Sequence, residues 1–398
     1  MGRRKQKDAP GQGTFGGFLD GIAKRARVVD REAIAKRLFY VVVALSGLGL
    51  LVGMAYHAPV LEPEAFQGKL LQSALFRGAG FCALLIGFRL GPAGLRPLLP
   101  ACTLVALVLL ALCFVPGIGV ERNGSHRWVR LGLEFQPSEL ARLVVVMWIA
   151  DRCVRLGPRV RELKRGVLPM LALGLTFFGL VMIETDVGSA LLLLCCALST
   201  MWMGGARPAF MLGAMAIIGG GTLGFAALTM PYARARLMVF TGELRNDQVM
   251  GATQAISSGE WWGSGLAQGR ARFEGVPYLE SDYVLAQIGE ELGLFGMLLV
   301  LVLFLAFLWY GLRLVLSIPE RYEALVAFGL LLSVALQAML HAQVVAGLAP
   351  PKGINLPFLS AGGSSLVVSS LAVGLALGAT RRPASERTSC TQSNAMDL

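Results

Sequence analysis

The chain has 398 residues, of which 55% are hydrophobic and 15% charged, and its mean hydropathy is +0.64. Soluble domains carry about 25% charged residues, so an ordinary soluble enzyme is excluded. Seven cysteines without a CxxC pair and only three histidines give no disulfide framework, zinc site or His-based triad. The net charge of +11 is no nucleic-acid footprint, because the basic residues stand in short segments between apolar runs.

A helix that crosses about 30 Å of hydrocarbon needs about 20 apolar residues. Ten such runs are present, at 38–56, 72–92, 98–117, 137–154, 166–183, 187–204, 208–229, 292–312, 324–348 and 357–379. Gly, Pro and charged residues separate them, as loops require. The reading is an all-α polytopic membrane protein with about ten transmembrane helices and one large extracytoplasmic loop, 231–291. Residues 1–37 form a basic cytoplasmic tail with ten Lys or Arg, 38–380 the membrane domain, and 381–398 a polar cytoplasmic tail. The first segment is too long and too charged for a secretory leader, so no cleaved signal is expected. Residues 14–36 fit either a basic surface helix on anionic lipid or a solvated tail. With the N-terminus inside, the cytoplasmic side collects 24 basic residues and the outer side 10, which sets the orientation and leaves both termini cytoplasmic.

Candidate chemistry lies in the outer segments. In the 118–136 loop, Asn123–Gly124 signals a turn, and Arg127–Trp128 reads either as an interfacial anchor or as a grip on a phosphate and its lipid chain. In QPSELAR, Pro137 suits a first helical turn. Glu139 and Arg142, three apart, share a face and either neutralise each other or line a polar cavity. Asp186, in ETDVGS, has the position of a helix N-cap. The large loop contains a Trp pair, many Gly, five Arg and eight carboxylates. Arg270 and Arg272 lie in its Gly-rich stretch, where guanidinium suits phosphate. Its exit, Ser281–Asp282–Tyr283, reads as an N-cap or, less simply, as a catalytic carboxylate. PPKGINLPFLSAGGSS adds Lys352 and a Gly/Ser cluster that also suits helix packing.

In this order the segments resemble the SEDS family of membrane proteins, with division-type (FtsW) and elongation-type (RodA) members. NGSHRWVRLG resembles NGxxRWI-LG, QPSELAR resembles QPSE-xxK, and ETDVGSA resembles QPDLGTA. PYARARLMVF resembles the family's entry to the large loop. GSGLAQGRAR with SDYVLAQIGEELGLFG resembles the loop's Gly-rich stretch and exit, and GLAPPKGINLPFLSAGGSS resembles GLLPTKG-x-LPF-SYGGSS. The resemblance spans about residues 38–380. It implies a peptidoglycan glycosyltransferase that joins lipid II into β-1,4 glycan at the outer membrane face. Asp282 would be the general base, and Arg127, Trp128, Glu139, Arg142, Asp186, Arg270, Arg272, Lys352 and Ser360 would bind substrate. It further implies a class B penicillin-binding transpeptidase and other division-complex proteins as partners, a multi-pass protein of the bacterial inner membrane at the septum, and no nucleic acid. No motif specifies a metal, and a divalent cation, Mg or Mn, is left open for neutralising pyrophosphate. The charged N-terminal extension, IGEELG and PPKG lean toward the division type over an elongation polymerase. A lipid II flippase and a non-catalytic division scaffold are the competing readings. The chain departs from the pattern at Glu184, Thr185, Tyr278, Glu280, His341 and Ala361, and Arg142 replaces a lysine. Glu280, two residues from Asp282, is expected to raise the latter's pKa by like-charge repulsion.

Overall fold

The computed structural model describes residues 31–122, 125–273 and 276–381. Most of both tails, 1–30 and 382–398, with most of the 14–36 segment, and the Asn123–Gly124 turn lie outside the described residues. Among the described residues, six helical spans are long and apolar enough to cross a membrane, among them Pro63–Leu112, which divides into two helices, and Val187–Met203 and Gly363–Gly378 are shorter apolar helices.

In chain order, α1 (Arg31–His57), α2 (Pro63–Leu95) and α3 (Leu99–Leu112) precede a three-stranded sheet. A buried strip of α1, Ile34, Leu38, Val41, Val42 and Leu45, faces the core, while Tyr40 and Val43 are exposed, the division expected of a helix with one packed side and one lipid-facing side. The sheet comprises β1 (Gly119–Arg122), β2 (Ser125–Leu131) and β3 (Leu133–Phe135) in the order β1-β2-β3. Both pairs are antiparallel, with Val120 opposite Trp128 and Arg130 opposite Glu134. This sheet is an addition to the helical reading. The Ser125 hydroxyl donates to the Glu184 carbonyl at 2.7 Å, tying β2 to the turn before the Val187–Met203 helix.

The central helices follow: α4 (Pro137–Leu156), α5 (Leu168–Ile183), α6 (Val187–Met203), α7 (Pro208–Ala214) and α8 (Gly220–Thr229). Most of α4 is buried, including Glu139, Arg142 and Asp151, so it is the bundle's middle rather than its rim. The large loop is folded: α9 (Pro231–Thr241) and α10 (Asp247–Ser258) lead through Gly-rich turns to α11 (Val284–Ser317). Asn246 caps α10 by accepting from the amides of Gln248 and Val249. A long α12 (Arg321–Val345) and α13 (Gly363–Gly378) complete the chain.

Two features fix the frame around the site. Along the α2–α13 seam, a Cβ on Gly87 would lie 2.8 Å from the Leu371 carbonyl oxygen and the Leu375 amide, so only glycine lets these backbones approach this closely. In α11, Gly293 breaks the helix with φ 63° and ψ −161°, a conformation open to glycine at little cost. The kink sits where the large loop packs against the helix, with Leu294 N–H donating to the Glu260 carbonyl at 2.9 Å. At the opposite end of the bundle Asp151 accepts from Arg96 at 2.8 Å and pairs with Arg155 at 2.7 Å.

Candidate active site

The large loop, the sheet and the starts of α4, α6 and α11 surround one cavity of about 590 Å³. Its walls carry four cations, Arg127 from β2, Arg142 from α4, Arg236 from α9 and Lys352 from the loop before α13. Glu139, Glu280 and Asp282 supply the carboxylates, and Trp128 and Tyr232 add aromatic surface. Segments more than 200 residues apart in sequence therefore meet at one end of the bundle.

Asp186 stands behind this wall, 2% exposed. It caps α6 through the Ser189 amide at 3.1 Å, so the capping role read from sequence is present. The same carboxylate also accepts from Gln136 at 3.0 Å, pairs with Lys352 Nζ at 2.8 Å and lies 3.9 Å from Arg127. Burial alone would raise its pKa, but Lys352 and Arg127 outweigh burial and hold it well below the usual carboxylate range. It is therefore an anionic strut that orients two cavity cations. Arg142 gives Nη2 to Gln337 Oε1 at 2.7 Å rather than to its helical neighbour Glu139. Gln337 in turn donates to the Asn355 carbonyl and the Ser365 hydroxyl, both at 3.0 Å. Glu139 keeps Oε2 buried without a hydrogen bond.

Asp282 occupies the wall next to α11. The helix start carries no side-chain cap, so the Asp282 carboxylate is not spent on capping and lines the cavity instead. Its backbone amide donates to the Tyr278 carbonyl at 2.9 Å. Tyr278 (φ 58°) and Phe358 (φ 68°) both hold left-handed backbone, a conformation that costs a non-glycine residue energy and persists where surrounding contacts enforce it. Those contacts are present: the Ser360 hydroxyl donates to the Ser281 carbonyl at 2.6 Å and accepts from the Leu356 amide at 2.8 Å. Ala361 N–H reaches the Glu280 carbonyl at 3.2 Å. Ser360 thus clamps the strand of chain bearing Asp282.

Burial raises the Asp282 pKa, against the pull of Arg127, the Ser281 hydroxyl and Arg236. The direction is the one expected from sequence, but its cause is burial rather than Glu280. Glu280 Oε2 turns away to His57 Nε2, 2.7 Å distant. Burial would raise the Glu280 pKa too, yet the hydrogen bond and charge of His57, with Lys69, bring it below the usual value.

The two loop arginines are not brought to this cavity. Arg272, its side chain 1% exposed, forms a buried ion pair with Glu291 and donates to the carbonyls of Ala55, Tyr56 and Gly269. Glu290 Oε1 accepts from the amides of Arg270 and Ala271 at 2.6 and 3.0 Å, while the Arg270 side chain is exposed. The Gly-rich stretch is stapled to α11 by two adjacent carboxylates, and Arg272 completes that staple in place of a phosphate contact. Sequence reasoning assigned no role to Arg236, whose guanidinium lies 4.0 Å from the Tyr232 ring centroid. Its signal was the alternating Y-x-R-x-R pattern at the loop entry. Among the described residues no three His, Cys, Asp or Glu side chains group as a metal site.

Membrane-length helices around a charged cavity, roofed by a folded loop, define a multi-pass membrane protein with its polar site at one end. The FtsW/RodA/SpoVE family of cell cycle proteins matches residues 36–383, and the chain belongs to that family. It is 30% identical over 370 residues to the probable peptidoglycan glycosyltransferase FtsW of Geobacter metallireducens, covering 92% of this chain and 96% of the relative. Stage V sporulation protein E of Bacillus subtilis is 33% identical over 284 residues, 70% of this chain and 77% of that protein. Among solved structures, a chain of a peptidoglycan synthase complex that coordinates polymerization and crosslinking superposes with a TM-score of 0.71 at 27% identity, over 85% of this chain and 95% of its own. The rod shape determining protein RodA of Thermus thermophilus gives 0.62 at 25% identity, over 86% and 94%.

Proposed function

We propose that this chain is a peptidoglycan glycosyltransferase that polymerises lipid II into β-1,4 glycan at the outer face of the cytoplasmic membrane during septal wall synthesis. The observation that carries the reading is Asp282: a carboxylate released from capping, half-buried at a cation-lined cavity, in a chain segment clamped by Ser360 and Ala361. The donor sugar of lipid II is α-linked to pyrophosphate, so a β product requires inversion at C1. One displacement accomplishes this. Asp282 takes the proton of the acceptor's 4-hydroxyl, the new C1–O4 bond forms, and the C1–O bond to pyrophosphate breaks with its electron pair leaving on the pyrophosphate. A base with a raised pKa holds that proton better.

Arg127 and Arg236 face Asp282 closely enough to bias its charge, so they are positioned to stabilise the departing polyanion. Fixed donors act strongly where water is excluded, and guanidinium presents a fork suited to phosphate oxygens. Lys352 contributes charge while Asp186 holds it in register. The orientation set by basic loops puts the cavity outside and both termini in the cytoplasm. A class B penicillin-binding transpeptidase is the expected partner, with other division-complex proteins around it. The solved synthase complex, similar over nearly the whole of its own chain, supports this pairing.

The test is a polymerisation reaction with purified protein, alone and with its cognate transpeptidase, on labelled lipid II. A ladder of glycan digestible by a β-1,4 muramidase is expected. Lipid translocation without any ladder, with the partner present and the protein folded, would favour a flippase, and neither activity would favour a scaffold.

A further inference from the structure

A second, smaller chamber of about 90 Å³ adjoins the cavity on the far side of the Asp282 strand, and the two share Glu280, Ala361 and Gly362. One wall is α2, which presents Lys69, Ser73 and Arg77 at four-residue intervals, one face of the helix. The other wall brings His57 from α1. Arg77 stands within the Pro63–Leu112 apolar segment. It donates only to the Ser46 and Ser73 carbonyls, at 3.2 and 3.4 Å, and no carboxylate pairs with it among the described residues. A charged side chain at such a position is costly and marks a functional site by default. Nothing in the mechanism above uses it.

The reaction requires two lipid-linked polyanions. The donor's pyrophosphate leaves from the carbon under attack and so lies beside Asp282, where Arg127 and Arg236 are. The acceptor carries its own pyrophosphate at the opposite end of its disaccharide from the reacting 4-hydroxyl, so this second polyanion must sit apart from the reaction centre while remaining connected to it. We propose that the Lys69–Arg77 face of α2 is the subsite for the acceptor's pyrophosphate, reached from Asp282 past Glu280. The inference rests on the glycosyltransferase reading and adds to it a division of labour between two sets of cations.

Two analogues separate the roles. Lipid II epimerised at its acceptor 4-hydroxyl reacts only as donor, and lipid II with a methylene in place of the anomeric oxygen reacts only as acceptor. Together they yield a single tetrasaccharide. Arg77→Gln is expected to raise KM for the acceptor analogue about tenfold, the loss of one charge-assisted contact, while KM for the donor analogue stays within about twofold, and Arg77→Lys is expected to recover most of the loss. Should Arg77→Gln fail to fold, Lys69→Gln, at an exposed position, is expected to produce the same selective rise. Equal rises for both analogues, or no rise in either, overturn the subsite. Failure of the wild type to form any tetrasaccharide instead overturns the glycosyltransferase reading, so the two failures are distinguishable.

Discussion

Gly353→Ala is the sharpest local probe of the site. A Cβ at position 353 would lie 2.5 Å from Asp282 Oδ2 and 3.2 Å from its Cγ. Ordinary carbon–oxygen contact begins near 3.4 Å, so the carboxylate must retreat by roughly 0.9 Å. The atom displaced is the end of a short side chain, not backbone, so the fold absorbs the change cheaply and thermal stability is expected to stay close to wild type. Catalysis does not absorb it, because a misplacement of about 1 Å at a reacting group costs on the order of 100-fold in rate. The assay is the initial rate of glycan formation from labelled lipid II, with a melting curve on the same preparation. Gly179→Ala, where an added Cβ meets nothing within 4 Å, serves as the control. A Gly353→Ala enzyme polymerising within about threefold of wild type would refute the claim that the Asp282 position sets the rate.

Four further outcomes follow from the contacts described above. Lys352→Ala leaves Asp186 buried with Arg127 at 3.9 Å as its remaining close cation, and is expected to destabilise the protein by about 3–5 kcal/mol. Adding Asp186→Asn should restore much of that in a chemical or thermal melt. Arg272→Met removes a buried partner of Glu291 and is expected to lower the melting temperature, with recovery in Arg272→Met/Glu291→Gln; a change in KM with an unchanged melting curve would return Arg272 to substrate binding. Because burial raises the Asp282 pKa and the base acts ionised, the acid limb of kcat/KM should lie above the pH expected for a free aspartate. Arg236→Gln, removing a charge that lowers that pKa, should move the limb further up, and an unmoved limb would assign it to another group. The same raised pKa means that ionised Asp282 opposes folding at neutral pH, so Asp282→Asn should melt no lower than wild type.

The bundle was legible in the sequence because a bilayer sets a length and a polarity that no loop imitates. Each of the ten apolar runs is largely helical, including 137–154, where Glu139 and Arg142 interrupt the hydrophobicity, although 113–117 and 357–362 lie outside helix. The sheet escaped notice because its strands, three to seven residues long, alternate around charged side chains rather than around an apolar pattern. At the site, residue types pointed to Arg127, Glu139, Arg142, Asp282 and Lys352, but not to their partners. Glu139 and Arg142 are helical neighbours, yet Gln337, 195 positions on, takes the guanidinium. Arg272 looked like a phosphate ligand because sequence cannot say that Glu291 reaches it first. Glu280 seemed a repulsive neighbour of Asp282 until His57, at the end of α1, proved to hold it. In each case the deciding contact joins segments that local spacing leaves unrelated.

The central claim is that Asp282 removes the acceptor's proton, and Asp282→Asn tests it most directly. The substitution keeps the side chain's size and removes only its basicity. Purified wild type and Asp282→Asn, each with the transpeptidase, would be given labelled lipid II and their products separated by gel. The account predicts a glycan ladder from the wild type and none from Asp282→Asn, with equal binding of lipid II and a melting temperature at least as high. A ladder of comparable length and rate from both proteins would contradict it and transfer the search for the base to Glu139 and Glu280.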